Sequence, residues 1–162
     1  NMSDNELKEK VRELKKEVGS RDEMINELFE SLAEEKLVQP TFITDYPLTI
    51  CPLTKTHRNN PKLVERFEAF VNGTELANAY SELNDPVEQV RRFEMQEEKK
   101  EAADEEAHPT DKDFVKAMSY GMPPCGGVGI GIDRLVMFLT NQNSIRDVIP
   151  FPFMKPLEEN KL

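Results

Sequence analysis

Leu7, Val11, Leu14 and Val18 recur at steps of four, three and four residues, a narrow apolar stripe on an otherwise charged segment. That spacing predicts a helix over residues 5–18, stopped by Gly19. Ser20 followed by Glu23 has the pattern of a capping box. It predicts a second helix whose buried stripe is Met24, Ile25, Leu28, Phe29 and Leu32. The period then changes. Residues 37–43 turn β-rich, and Pro47 and Pro52 bracket a short extended piece, 48–51. Two strand-like runs, 66–71 and 74–83, flank Asn72-Gly73, the strongest short-range signal of a tight hairpin. Asp85, Pro86 and Glu88 together predict a capped helix running to about Ala103. Its Glu-rich end, 97–106, suits a solvated helix. Thr110 to Asp113 opens a further helix, which Gly121 closes. Pro123-Pro124 forces an extended turn. After a glycine-rich run, 125–132, Asp133 can cap a helix from Arg134 to about Leu139. Ser144 to Ile149 is a short segment before a proline-punctuated tail.

Alternation gives the glycine run two faces. Val128, Ile130 and Ile132 point one way, toward an expected core. Gly127, Gly129 and Gly131 leave the other face bare. A flat ligand fits there, and so does close packing of another backbone. No Gly-Lys-Ser/Thr follows, so this is not a phosphate-binding Walker loop. Arg134 stands at a helix N-terminus, where a cation opposes the helix dipole. A phosphate or purine in front of it would explain the placement, as would a simple pair with Asp133.

In the hairpin, a two-residue turn sets Phe70 opposite Glu75 and Glu68 opposite Ala77. Glu68 and Glu75 then share a face about 7 Å apart. Magnesium on a polyphosphate would neutralise them; two solvated acids are the plainer alternative. Asn78, Tyr80 and Glu82 have the opposite parity. An amide, a phenol and a carboxylate in line could bind a small cationic molecule. The two sets serve one site only if the strand bulges near Leu76 to Ala77.

The 162 residues fit one domain, but 38% hydrophobic and 32% charged residues make a polar globule. The net charge of −10 disfavours broad contact with nucleic acid. Cys51, Cys125, His57 and His108 lack zinc-site spacing and give no disulfide framework, so the cysteines read as reduced cytoplasmic thiols. No apolar run approaches a membrane span.

Gly127-Val-Gly-Ile-Gly-Ile-Asp-Arg134 resembles motif 3 of class II aminoacyl-tRNA synthetases. Glu75-Leu-Ala-Asn-Ala-Tyr-Ser-Glu-Leu-Asn-Asp-Pro86 resembles the corresponding segment of lysyl-tRNA synthetases and is far more specific. Gln39 to Ile43, Pro52 to Lys55, Arg66-Phe-Glu68 and Ser144 to Ile149 agree with it. The resemblance implies an α+β fold, an antiparallel sheet flanked by helices. It implies a lysine–tRNA ligase that uses ATP and Mg2+. Glu68 and Glu75 would hold the metal. Gly131 and Arg134 would complete the ATP site, with Arg134 as the catalytic cation stacked on adenine and touching the γ-phosphate. Asn78, Tyr80, Glu82, Gly127 and Gly129 would form the lysine pocket, with Glu82 pairing the ε-ammonium. The partners implied are ATP, L-lysine, tRNA(Lys) and a second subunit of a homodimer, in the cytoplasm and away from membranes.

The chain departs from that family in lacking recognisable motifs 1 and 2 and the anticodon-binding domain. Residues 1–19 are therefore expected to be a charged helix or a segment outside the family, and 20–162 the C-terminal part of the catalytic domain. Without the motif 2 arginine, the chain alone is expected to show no lysine-dependent ATP–pyrophosphate exchange. Two alternatives stay open: a paralogue that attaches a lysine-like group to a protein, and a non-catalytic protein retaining the fold.

Overall fold

The structure, a computed structural model, describes residues 2–16, 19–101 and 111–153. The chain forms two compact units, Asn1–Gly129 and Ile130–Leu162.

The first unit opens with two helices, α1 (Asp4–Glu13) and α2 (Arg21–Leu32). Each begins with a reciprocal capping box, Ser3 with Glu6 and Ser20 with Glu23, so orphan amides are satisfied locally. Leu7 and Val11 of α1 bury against Met24 of α2, flanked by Met2 and Leu28. This packing crosses the boundary drawn at residue 19. Val18 lies outside the described residues.

A four-stranded sheet follows in the order β1 (Thr41–Thr44), β2 (Arg66–Val71), β3 (Thr74–Ser81), β4 (Gly126–Ile130). β1–β2 and β2–β3 are antiparallel. The Glu82 N–H donates to Cys125 O at 3.0 Å, and Gly129 lies against Asn78, so β4 runs opposite to β3. Asn72 and Gly73 both take positive φ, 52° and 68°, as a two-residue hairpin turn requires. Residues 48–50, expected to be extended, instead form a 3-10 turn, with Cys51 buried beside Tyr46 and Val64. The turn closes on itself through Cys51 N–H to Leu48 O, which the apolar sequence could not reveal.

Helix α3 (Pro86–Glu101) starts where Asp85 accepts from the Val87 and Glu88 amides. Glu88, expected to complete a capping box, bonds Arg91 and Arg92 instead, since two guanidiniums outcompete one amide. Arg92 is buried, and donates to Thr54 O at 2.6 Å and Thr56 Oγ1 at 2.8 Å. Helix α4 (Lys112–Ser119) is capped by Asp111; the expected Thr110 and the end of α3 at Ala103 lie outside the described residues.

In the second unit, α5 (Ile132–Thr140) begins earlier than expected, so Asp133 and Arg134 sit within its first turn and Gly131 occupies the cap. Asn141 ends it in the left-handed conformation. Val128, Ile130 and Ile132, expected in a core, are 66%, 51% and 62% exposed. β4 is the last strand of the sheet, and alternation fixes which side chains share a face without fixing which face is covered.

Candidate functional site

The decisive local feature is one extra residue. Phe70 pairs with Glu75, but Ala69 pairs with Ala77, so Leu76 is a β-bulge. Strict alternation had set Glu68 opposite Ala77; the bulge sets it opposite Asn78, and Arg66 opposite Tyr80. Directly paired residues share a face. Arg66, Glu68, Phe70, Glu75, Asn78 and Tyr80 therefore all project from one side of the sheet. The condition under which the two sets could serve one site is met.

Glu82 follows two residues beyond Tyr80 and continues the alternation. A Cβ added to Gly127 would lie 2.5 Å from Glu82 Oε1, so glycine is what leaves room for this carboxylate. The Glu82–Cys125 ladder bond, carried along antiparallel strands, sets Gly127 beside Tyr80 and Gly129 beside Asn78. The bare face of β4 adjoins the polar trio.

Glu68 and Glu75 line one cavity of about 190 Å³ with Tyr46, Arg66, Phe70 and residues of α2. Two carboxylates suit a hard cation that completes its shell with water and phosphate oxygens. The described residues contain no cluster of three or more His, Cys, Asp or Glu side chains placed to hold a metal.

Glu68 is held from two sides. Arg66 Nη2 donates to Oε1, and the Tyr46 hydroxyl donates to Oε2 at 2.5 Å. Burial raises the Tyr46 pKa, and the bond to Glu68 raises it further, so the phenol stays protonated. Arg66 also donates to Asn78 Oδ1 at 3.2 Å and Cys51 Sγ at 3.1 Å, and lies 4.6 Å from the Tyr46 ring centre. Burial opposes its charge, but Cys51, Glu68 and Tyr46 together raise its pKa. Tyr80 is likewise raised, by burial and then by the Glu82 charge.

Arg66 was legible in principle, because i and i+2 in a strand share a face and place it beside Glu68. Tyr46 reaches the site from the loop after β1, and no local pattern announces it. Gly131 and Arg134 belong to the second unit.

The sequence pattern of the family described as tRNA synthetases class II (D, K and N) matches residues 3–155. The chain belongs to this family. Among relatives of this class II synthetase chain, the lysine–tRNA ligase of Moorella thermoacetica is 61% identical over 139 residues, covering 86% of the chain and 28% of the relative. That of Saccharolobus solfataricus is 56% identical over 157 residues, 94% of the chain and 32% of the relative. That of Clostridium acetobutylicum is 56% identical over 151 residues, 92% and 29%. The class II chain thus spans less than a third of the length of these relatives. No helix among its described residues is long and apolar enough to cross a membrane.

Proposed function

We propose that this chain supplies the lysine pocket and the magnesium-binding carboxylates of a cytoplasmic, homodimeric lysine–tRNA ligase. The observation that supports this best is the bulge at Leu76, which gathers Glu68, Glu75, Asn78 and Tyr80 on one face. The identities to lysine–tRNA ligases support the choice of amino acid.

Glu68 and Glu75 hold Mg2+ delivered with ATP; when bound, the ion neutralises phosphate charge and fixes the geometry of the polyphosphate. Glu82 pairs the substrate ε-ammonium, because a buried cation without a counter-ion is costly. Tyr80 walls the pocket as a neutral phenol, and Asn78 offers an amide. Gly127 and Gly129 keep the floor flat. On the resemblance, Gly131 and Arg134 contact ATP, with Arg134 stacking on adenine and meeting the γ-phosphate. The lysine carboxylate attacks the α-phosphorus, releasing pyrophosphate and giving lysyl-adenylate. A terminal hydroxyl of tRNA(Lys) then takes the lysyl group and AMP leaves. Positioning and charge neutralisation carry both steps, with no protein nucleophile.

The test replaces the matching segment of the Moorella thermoacetica ligase with this chain and introduces Glu82→Gln. The expected loss is about 2–5 kcal/mol in apparent lysine affinity, with the Michaelis constant for ATP nearly unchanged. A lysine constant within about twofold of the unsubstituted chimera removes Glu82 from the pocket.

A further inference from the structure

We propose that Arg66 is a positioning residue that couples the lysine pocket to the magnesium carboxylates. This inference rests on the function proposed above.

One guanidinium touches both halves of the site. It donates through Nη2 to Glu68 and through Nε to Asn78 at 3.2 Å. Its remaining contacts, Nη1 to Cys51 at 3.1 Å and its face over Tyr46, hold it from behind. The side chain is 19% exposed, so few other arrangements are open to it. Arginine has donors and no acceptor. The Asn78 atom that faces it must therefore be oxygen, and the Asn78 amide NH2 must point elsewhere, as a donor. Arg66 thus decides which end of Asn78 the pocket presents.

The same fork aims Glu68. With Arg66 on one carboxylate oxygen and Tyr46 on the other, each oxygen keeps a lone pair for a further partner. A planar guanidinium cannot tilt toward Glu68 without turning its Nε–H away from Asn78. A shift of either residue is felt by the other. Occupation of the metal side steadies Asn78, and lysine in the pocket steadies Glu68.

The test is Arg66→Lys in the same chimera. Lysine keeps the charge but is a point donor without the rigid fork. Both the lysine dissociation constant, read by titration calorimetry alongside its Michaelis constant, and the Mg2+ concentration for half-maximal rate should rise by about tenfold, the size expected for losing a charge-assisted hydrogen bond. In the unsubstituted chimera the lysine constant should fall as Mg2+ rises; in the variant the two should become independent. Asn78→Ser supplies a second route should Arg66→Lys fail to fold. It breaks the Arg66–Asn78 bond without touching Glu68, and should still raise the Mg2+ requirement at least twofold. In the Arg66→Lys background it should leave that requirement unchanged.

If Arg66→Lys moves only one constant, or lowers kcat with both constants unchanged, the coupling is refuted; so it is if Asn78→Ser leaves the Mg2+ requirement unchanged. Glu68→Gln and Glu82→Gln are measured in parallel. If neither shifts its own constant, the proposed site fails. If both do and Arg66→Lys does not shift the pair, only the coupling fails.

Discussion

Gly127→Ala tests the fit between β4 and the carboxylate assigned to lysine. The added methyl carbon would lie 2.5 Å from Glu82 Oε1. Ordinary contact requires about 3.5 Å, so the carboxylate must retreat by about 1 Å. The backbone does not oppose the change, because Gly127 is not among the positive-φ residues. The clashing atom is the free end of a flexible side chain, so the fold should tolerate the methyl, with a stability change within about 0.5 kcal/mol. Binding should not. An ammonium about 3 Å from a carboxylate gains roughly 5.5 kcal/mol at an effective dielectric of about 20, and about 4 kcal/mol at 4 Å. The difference, about 1.4 kcal/mol, is a tenfold rise in the Michaelis constant for lysine. The assay is lysine-dependent ATP–pyrophosphate exchange by the chimera, with thermal melting run alongside. An unchanged melting temperature with a tenfold higher lysine constant is expected. A lysine constant within twofold of the parent would show that Glu82 does not reach the substrate from this position.

Inserting an alanine between Ala69 and Phe70 gives Leu76 a partner and restores strict alternation, so Glu75 no longer shares a face with Glu68, Asn78 and Tyr80; exchange activity should fall by at least about 100-fold, and retained activity with a folded circular-dichroism spectrum would show that the site does not depend on the bulge. Acid should destabilise the chain through Glu88, whose carboxyl is lowered from 4.5 to about 2 by hydrogen bonds from Arg91 and then Arg92, with burial opposing. A depressed folded pKa contributes stability that is complete above the unfolded value and is lost as pH falls toward the folded one. Melting temperature should therefore drop between about pH 4.5 and 2, and Glu88→Gln should flatten that drop; an unaltered acid profile would refute the assignment.

What could be read ahead of the fold was what is local. Ser20 with Glu23 satisfies its backbone amides within four residues, and Asn72 with Gly73 tolerates the positive φ that the turn requires; both stand where expected. The shared face of Glu68 and Glu75 followed from the turn alone. The bulge did not, because Leu76 and Ala77 carry no residue preference that separates a bulged strand from a regular one. Residues 48–51 misled because their apolar, β-type side chains are buried either way, in a strand or in the 3-10 turn they form. Glu88 had two possible partners, and two arginines in the next turn won over one amide. The link from Tyr46 to Glu68 spans 22 residues and depends on the whole path of the intervening loop.

The buried Arg92 has a consequence for how this segment tolerates being cut. It fastens α3 to the loop of residues 52–56, where Lys55 N–H bonds Ser81 O and Leu83 N–H bonds Leu53 O. The end of β3, with Glu82 on it, is therefore stitched to the loop on one side while the helix that follows clamps that loop from another. Opening the chain at 84–86 would leave α3 to find its seat as a separate piece, with Arg92 to be buried again against the loop. New termini or inserted domains belong instead just after the exposed Asn59, which leaves the Arg58–Glu65 ion pair intact.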